Sequence, residues 1–87
     1  MYLHLGKGHM VSWKEVVFIG QIECLENSEE TRNFLEKKEE EGQVIDVSQG
    51  ETQSFIITPE NIYLSLISAG TLEKRLNKLK FAAVKEG

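Results

Sequence analysis

The run Phe55-Ile56-Ile57-Thr58-Pro59-Glu60-Asn61-Ile62-Tyr63-Leu64-Ser65 sets two strand-forming segments on either side of a tight turn. β-Branched and aromatic side chains favour a pleated, half-buried backbone. Pro59 cannot donate to a strand ladder, so the run breaks where Pro59-Glu60-Asn61 suits a β-turn. A helix follows at once. Leu72, Leu76, Leu79 and Ala83 are spaced four, three and four, an unbroken apolar seam. The spacing predicts a helix over about Ser68 to Phe81, with Ser68 or Thr71 as its cap. A hairpin that feeds an amphipathic helix points to an α+β fold, with the helix lying on a sheet.

The remaining segments fit that frame. Tyr2-Leu3-His4-Leu5 alternates, and Gly6-Lys7-Gly8 supplies turn residues for a hairpin to Met10-Val11. Ser12-Trp13-Lys14-Glu15 has capping-box spacing and predicts one helical turn. Val16 to Glu23 reads as a strand, and its continuous apolar start predicts a central position covered on both faces. Asn27-Ser28-Glu29-Glu30 is a second capping box, opening a helix from about Ser28 to Glu41 that stops at Gly42. Its apolar stripe is thin: Thr31, Phe34, Leu35 and the stem of Lys38. Gln43 to Val47 and Thr52 to Thr58 read as strands around the turn Ser48-Gln49-Gly50-Glu51. Ile45, Val47, Phe55, Ile57, Ile62 and Leu64 are expected to supply most of one sheet face. The prediction is a small, mainly antiparallel sheet of about five strands with two helices, over one domain at 1–82 and a tail at 83–87.

Eighty-seven residues leave no room for a second core. A domain of this size buries only about 60–65% of the surface its unfolded chain exposes, so self-association is one way to bury more. The net charge of −4 argues weakly against nucleic acid, but the charge is unevenly placed. Glu23 to Glu41 holds eight glutamates against Arg32, Lys37 and Lys38, a sum of −5. Thr71 to Gly87 holds Lys74, Arg75, Lys78, Lys80 and Lys85 against Glu73 and Glu86, a sum of +3. Such asymmetry fits either solvated helix faces or a binding surface.

Cys24 is alone, which excludes an intramolecular disulfide and suits a reducing cytosol. No basic segment followed by a long apolar stretch opens the chain, and apolar runs such as Val16-Val17-Phe18-Ile19 are far too short for a membrane span. A cytoplasmic location is expected. His4, His9 and Cys24 lie on separate segments without ligand spacing, so no metal or other cofactor is expected. Ser65 and Ser68 lack a glycine elbow, neither histidine has an adjacent acid, and Gly6-Lys7-Gly8 lacks the Gly-Lys-Ser/Thr of a phosphate loop. No catalytic residues and no enzyme activity are expected. Trp13, the sole tryptophan, sits on a polar turn, where it either packs beneath the first hairpin or anchors an interface.

The opening Met1-Tyr2-Leu3-His4-Leu5-Gly6, the run Phe55-Ile56-Ile57-Thr58, Ile62-Tyr63-Leu64-Ser65, and Ile67-Ser68 followed by Thr71-Leu72-Glu73-Lys74-Arg75 carry a resemblance. In that order, over so short a chain, they resemble the extracellular matrix regulatory family RemA/RemB, and its RemB branch most. The resemblance covers Met1 to about Leu76. It implies a fold similar to the LytTR DNA-binding domain and subunits assembled into a ring. It also implies a regulator of matrix (biofilm) genes that contacts double-stranded DNA. Two departures stand out. Where the RemA branch has an arginine in the turn before the long strand, this chain has Glu15. Where that branch has adjacent arginines in a middle loop, this chain reads Gly50-Glu51-Thr52-Gln53. The expected DNA contacts therefore shift to Lys7, Lys14, Lys74, Arg75 and Lys78, and the expected oligomer contacts are Trp13, Leu72, Leu76, Leu79 and Phe81. The competing expectation is an oligomeric interaction scaffold that has lost the DNA surface, with another regulator protein as partner.

Overall fold

In the first hairpin, Lys7 takes a left-handed conformation (φ 54°) between Gly6 and Gly8, both also at positive φ. That turn joins β1 (Tyr2–Gly6) to β2 (His9–Ser12) as an antiparallel pair, with a register shift between His4 and Gly6. Alternation turns Leu3, Leu5 and Val11 inward and Tyr2, His4 and Met10 outward. A 3-10 turn (Trp13–Glu15) then leads into β3 (Phe18–Gln21), α1 (Glu23–Asn27) and α2 (Glu29–Glu40). They are followed by β4 (Val44–Asp46), β5 (Ser54–Ile57), β6 (Ile62–Ser65) and α3 (Ala69–Glu86). These elements come from a computed structural model that describes residues 1–86.

The α+β class stands, with a different division of strands and helices. The strands form two sheets: the β1–β2 hairpin, and a four-stranded sheet in the order β3, β5, β6, β4. Pairing is antiparallel except between β4 and β6. Among the described residues three α-helices replace the expected two, because Glu23, expected to end a strand, instead opens α1 (Glu23–Asn27). The expected central strand is instead the outer strand β3, and Val17 and Phe18 are 67% and 49% exposed. Its apolar start is not covered on both faces. Helix α3, expected to end at about Phe81, continues to Glu86, and residue 87 lies outside the described residues.

The sheet faces also differ from expectation. Register places Ile19, Ile56, Tyr63 and Ile45 side by side on one face. Together with Val47, that row packs against Leu72, Leu76 and Ala69 of α3 and against Leu3, Leu5 and Val11 of the hairpin. Phe18, Ile57, Ile62 and Val44 line the opposite face, as do Phe55 and Leu64. The six residues expected to share a face are thus split, with Ile45 and Val47 toward α3 and the other four toward α2. The physical reason lies in Phe55-Ile56-Ile57, an apolar run whose continuity gives no period from which to choose a face.

Two buried serines fix the sheet to its surroundings, and Ser65 is the one that ties it to the hairpin. Ser65 Oγ donates to the carbonyl of Leu5 (2.7 Å) and accepts from Ile67 N–H (3.0 Å). Leu5 is the residue skipped in the hairpin register, so its carbonyl gains from the serine a hydrogen bond that the β1–β2 ladder interrupts. Ser54, paired with Ser65, donates to the Ile67 carbonyl (2.7 Å). This fixes the short connection from β6 to α3.

Helix ends follow local chemistry. Ser28 caps α2 by accepting from Thr31 N–H at 3.2 Å, and Gly42 at φ 74° follows its C-terminus. Ser68 accepts from Thr71 N–H at 3.3 Å, which settles the cap of α3. The Ser12–Glu15 capping box does not form: Ser12 makes no side-chain cap bond, and the turn has only three residues.

Candidate nucleic-acid interface

Helix α3 presents two chemically distinct sides. Leu72 and Leu76 are buried in the core (0% and 8% exposed), while Arg75 and Lys78 point along the flank toward β1. Between that flank and the outer face of β1 lies a groove of about 460 Å³, lined by Tyr2, Leu3, His4, Arg75, Lys78 and Leu79. The alternation of β1 puts Tyr2 and His4 on its wall, with buried Leu3 between them. Among the described residues no carboxylate lines it. A guanidinium, an ammonium, a phenol and an imidazole therefore converge on one open surface. Arg75 offers a planar fork of donors suited to phosphate oxygens, and Lys78 a mobile point charge. Tyr2, 59% exposed, offers both a hydroxyl and a ring face.

The five basic candidates are not brought together as one site. Arg75 and Lys78 share the groove. Lys7 sits exposed at the hairpin turn, and Lys74 is exposed on α3. Lys14 lies in the 3-10 turn with its Nζ 5.9 Å from the Trp13 ring centroid, a cation–π contact at the surface. Tyr2 and His4 are not among the DNA contacts expected from the sequence. Their alternation in β1 showed an outward face, but nothing local showed that α3 would lie beside it.

The two places where the resemblance implied arginines are acidic in space as well as in sequence. Glu15 shares a small recess with Glu60 and Tyr63, close to the Pro59 turn. The loop after β4 folds around Asp46, whose carboxylate accepts from Ser48 N–H (2.8 Å) and Ser48 Oγ (2.6 Å). Ser48 Oγ also lies 2.7 Å from Thr52 Oγ1. The Ser48 hydroxyl, and then its backbone N–H, hold the Asp46 carboxyl below the usual aspartate range. That loop carries Glu51 and no base, so it repels phosphate.

Of the expected oligomer contacts, Leu72 and Leu76 are corrected to core residues of the subunit itself. Trp13 and Leu79 are half-buried and pack against that core. Phe81 alone among the five is open, at 69% exposure. The seam periodicity showed which side of α3 is apolar, but not that its own sheet would fill that side. Cys24 is a free, exposed thiol. Among the described residues no group of three or more His, Cys, Asp or Glu is placed to hold a metal ion, and no helix is long and apolar enough to cross a membrane.

The arrangement defines a small α+β protein with a basic groove beside its first hairpin. A family model described as RemA-like, extracellular matrix regulatory protein A-like, matches residues 2–76. Over 75 residues the chain is 35% identical to Extracellular matrix regulatory protein B of Bacillus subtilis (strain 168), covering 86% of this chain and 89% of that protein. The chain belongs to the RemA-like family of extracellular matrix regulatory proteins.

Proposed function

We propose that this protein is a homo-oligomeric, ring-forming regulator of extracellular matrix (biofilm) genes that binds double-stranded DNA through the β1–α3 groove. The observation that carries the reading is the convergence of Arg75, Lys78, Tyr2 and His4 on a groove that no carboxylate lines among the described residues, in a chain of net charge −4. Phosphate binding depends on local rather than net charge, because each neutralised phosphate releases its own condensed counterions. Lys7, Lys74 and Lys14 are exposed outside the lining of the groove, at the hairpin turn, on α3 and on the 3-10 turn. A ring would repeat the groove on every subunit, so a few bases per copy would sum to a useful affinity. Membership of a matrix-regulator family supports the regulatory role.

The test is fluorescence anisotropy of labelled duplex DNA at two salt concentrations. Three phosphate contacts per binding event give a salt slope near −2.7, so raising salt from about 20 to about 150 mM should weaken binding roughly 200-fold. Arg75→Glu should abolish the signal, and Lys14→Glu should weaken it much less. No binding at the lower salt would overturn the DNA half of the proposal.

A second reading is favoured by a separate observation, the acidic recess at Glu15 and Glu60 together with the Asp46–Glu51 loop. In that reading the oligomer is a scaffold for another regulator protein and the DNA surface is lost. A stable oligomer that leaves duplex DNA unbound at low salt would favour it.

A further inference from the structure

Phe81 stands about half a turn around α3 from the Leu72, Leu76, Leu79 and Ala83 seam, so it faces directly away from the core. It is 69% exposed, and Val84, one turn on, is 80% exposed. Neither side chain serves the subunit's own packing. Lys78 and Lys74, one and two turns back, lie on the same outward side. The distal end of α3 is therefore an apolar tip behind a basic shaft, and it lies beyond the family match at residue 76.

A matching hollow lies on the other side of the molecule. A groove of about 400 Å³ runs between α2 and the outer face of β3, walled by Phe18, Phe34, Phe55 and Ile57. Gly20 shapes it: a Cβ there would fall 2.5 Å from the Phe55 ring and 2.7 Å from that of Phe18. Without that carbon, the two rings close over the strand, their centroids 5.8 Å apart. Phe34 and Phe18 are 41% and 49% exposed, so the α2 side of the sheet is left partly open. Among the described residues the charged lining residue is Glu30, α1 alongside carries Glu23 and Glu26 in its first turn, and Lys38 Nζ lies 5.8 Å from the Phe34 ring centroid. The segment from Glu23 to Glu41 sums to −5, against +3 from Thr71 to Gly87.

We propose that the tip of α3 in one copy, Phe81 and Val84, seats in the α2–β3 groove of a second copy. The occupant is chosen by complementarity of both kinds: apolar tip to apolar groove, basic shaft to acidic rim. A subunit cannot satisfy its own groove, because its α3 is packed on the opposite face of the same sheet. The contact is heterologous, head to tail, so each added copy presents a fresh tip and a fresh groove. Such a chain of contacts closes as a ring or runs on as a filament according to the rotation per step. The inference rests on the homo-oligomeric half of the proposed function and shares Lys78 with its DNA half.

The experiment uses light scattering coupled to size exclusion on the full chain, with Phe34→Glu, Phe81→Glu and their equimolar mixture. Both side chains are exposed, and circular dichroism checks that each variant keeps its fold. The wild type should be larger than a dimer and each variant alone a monomer. The mixture should stop at a heterodimer, because one intact tip meets one intact groove and nothing remains to extend it. A variant that keeps the wild-type size on its own overturns this contact while leaving assembly standing. Two monomeric variants that fail to pair in the mixture overturn the head-to-tail geometry. A monomeric wild type overturns both the contact and the oligomeric half of the proposed function.

Discussion

The two faces of the four-stranded sheet are built to different standards. Toward α3, Ile56, Leu72, Leu3 and Leu5 are sealed from solvent within one continuous cluster. Toward α2, Phe55 and Ile62 are buried, yet α2 itself has no buried residue and Phe34 stays 41% exposed. Burial stabilises roughly in proportion to the apolar area removed from water, so most of the folding free energy belongs to the α3 side. The α2 side closes the sheet only loosely and keeps a groove. What a small chain leaves unfilled is as informative as what it fills.

The contrast can be broken most directly with two leucines. Leu72→Ala should cost about 2–5 kcal/mol in urea denaturation, the range for emptying a sealed core position. Leu35→Ala, at a half-buried position on α2, should cost only about 1 kcal/mol, since much of the removed surface already meets water. Equal losses would mean that the two faces carry equal weight. Ser65→Ala should fall between them at about 1–3 kcal/mol, because it leaves the Leu5 carbonyl and Ile67 N–H short of a partner. A change near zero would show that the two sheets are not tied by that serine.

The smallest expected effect concerns Asp46. Its folded pKa is depressed, chiefly by the Ser48 hydroxyl, so it contributes stability above its unfolded pKa and loses it as pH falls through the folded one. The stability difference between wild type and Asp46→Ala should therefore be present at neutral pH and shrink as pH drops below about 4. A difference that grows in acid would reverse the assignment. The carboxylate is exposed, and solvent screening keeps the effect small.

Local signals were legible in the sequence. The Gly6-Lys7-Gly8 turn, the Pro59 turn, Gly42 after α2 and the seam of α3 all carry their own stereochemical reasons. What was not legible depended on distant partners. Val16-Val17-Phe18-Ile19 looks like a central strand, but position within a sheet depends on which strands pair, and β3 gains a neighbour only on its β5 side. Gln21 to Asn27 changes from strand to helix with no proline or glycine to mark the switch. In the basic groove, Arg75 and Lys78 could be picked from the charge asymmetry, whereas Tyr2 and His4 join them only through tertiary packing. Leu72 and Leu76 were legible as apolar, but their burial in their own subunit was not.

The strand order has a consequence for biosynthesis. β3 and β4, the two margins of the sheet, leave the ribosome before β5 and β6, the pair that must lie between them. Until the Pro59 hairpin emerges, the nascent chain holds two borders without an interior, and neither can find its ladder. The stretch from Glu23 to Glu41 that separates those borders sums to −5, and like charge of that size opposes association of chains that still lack the sheet's interior.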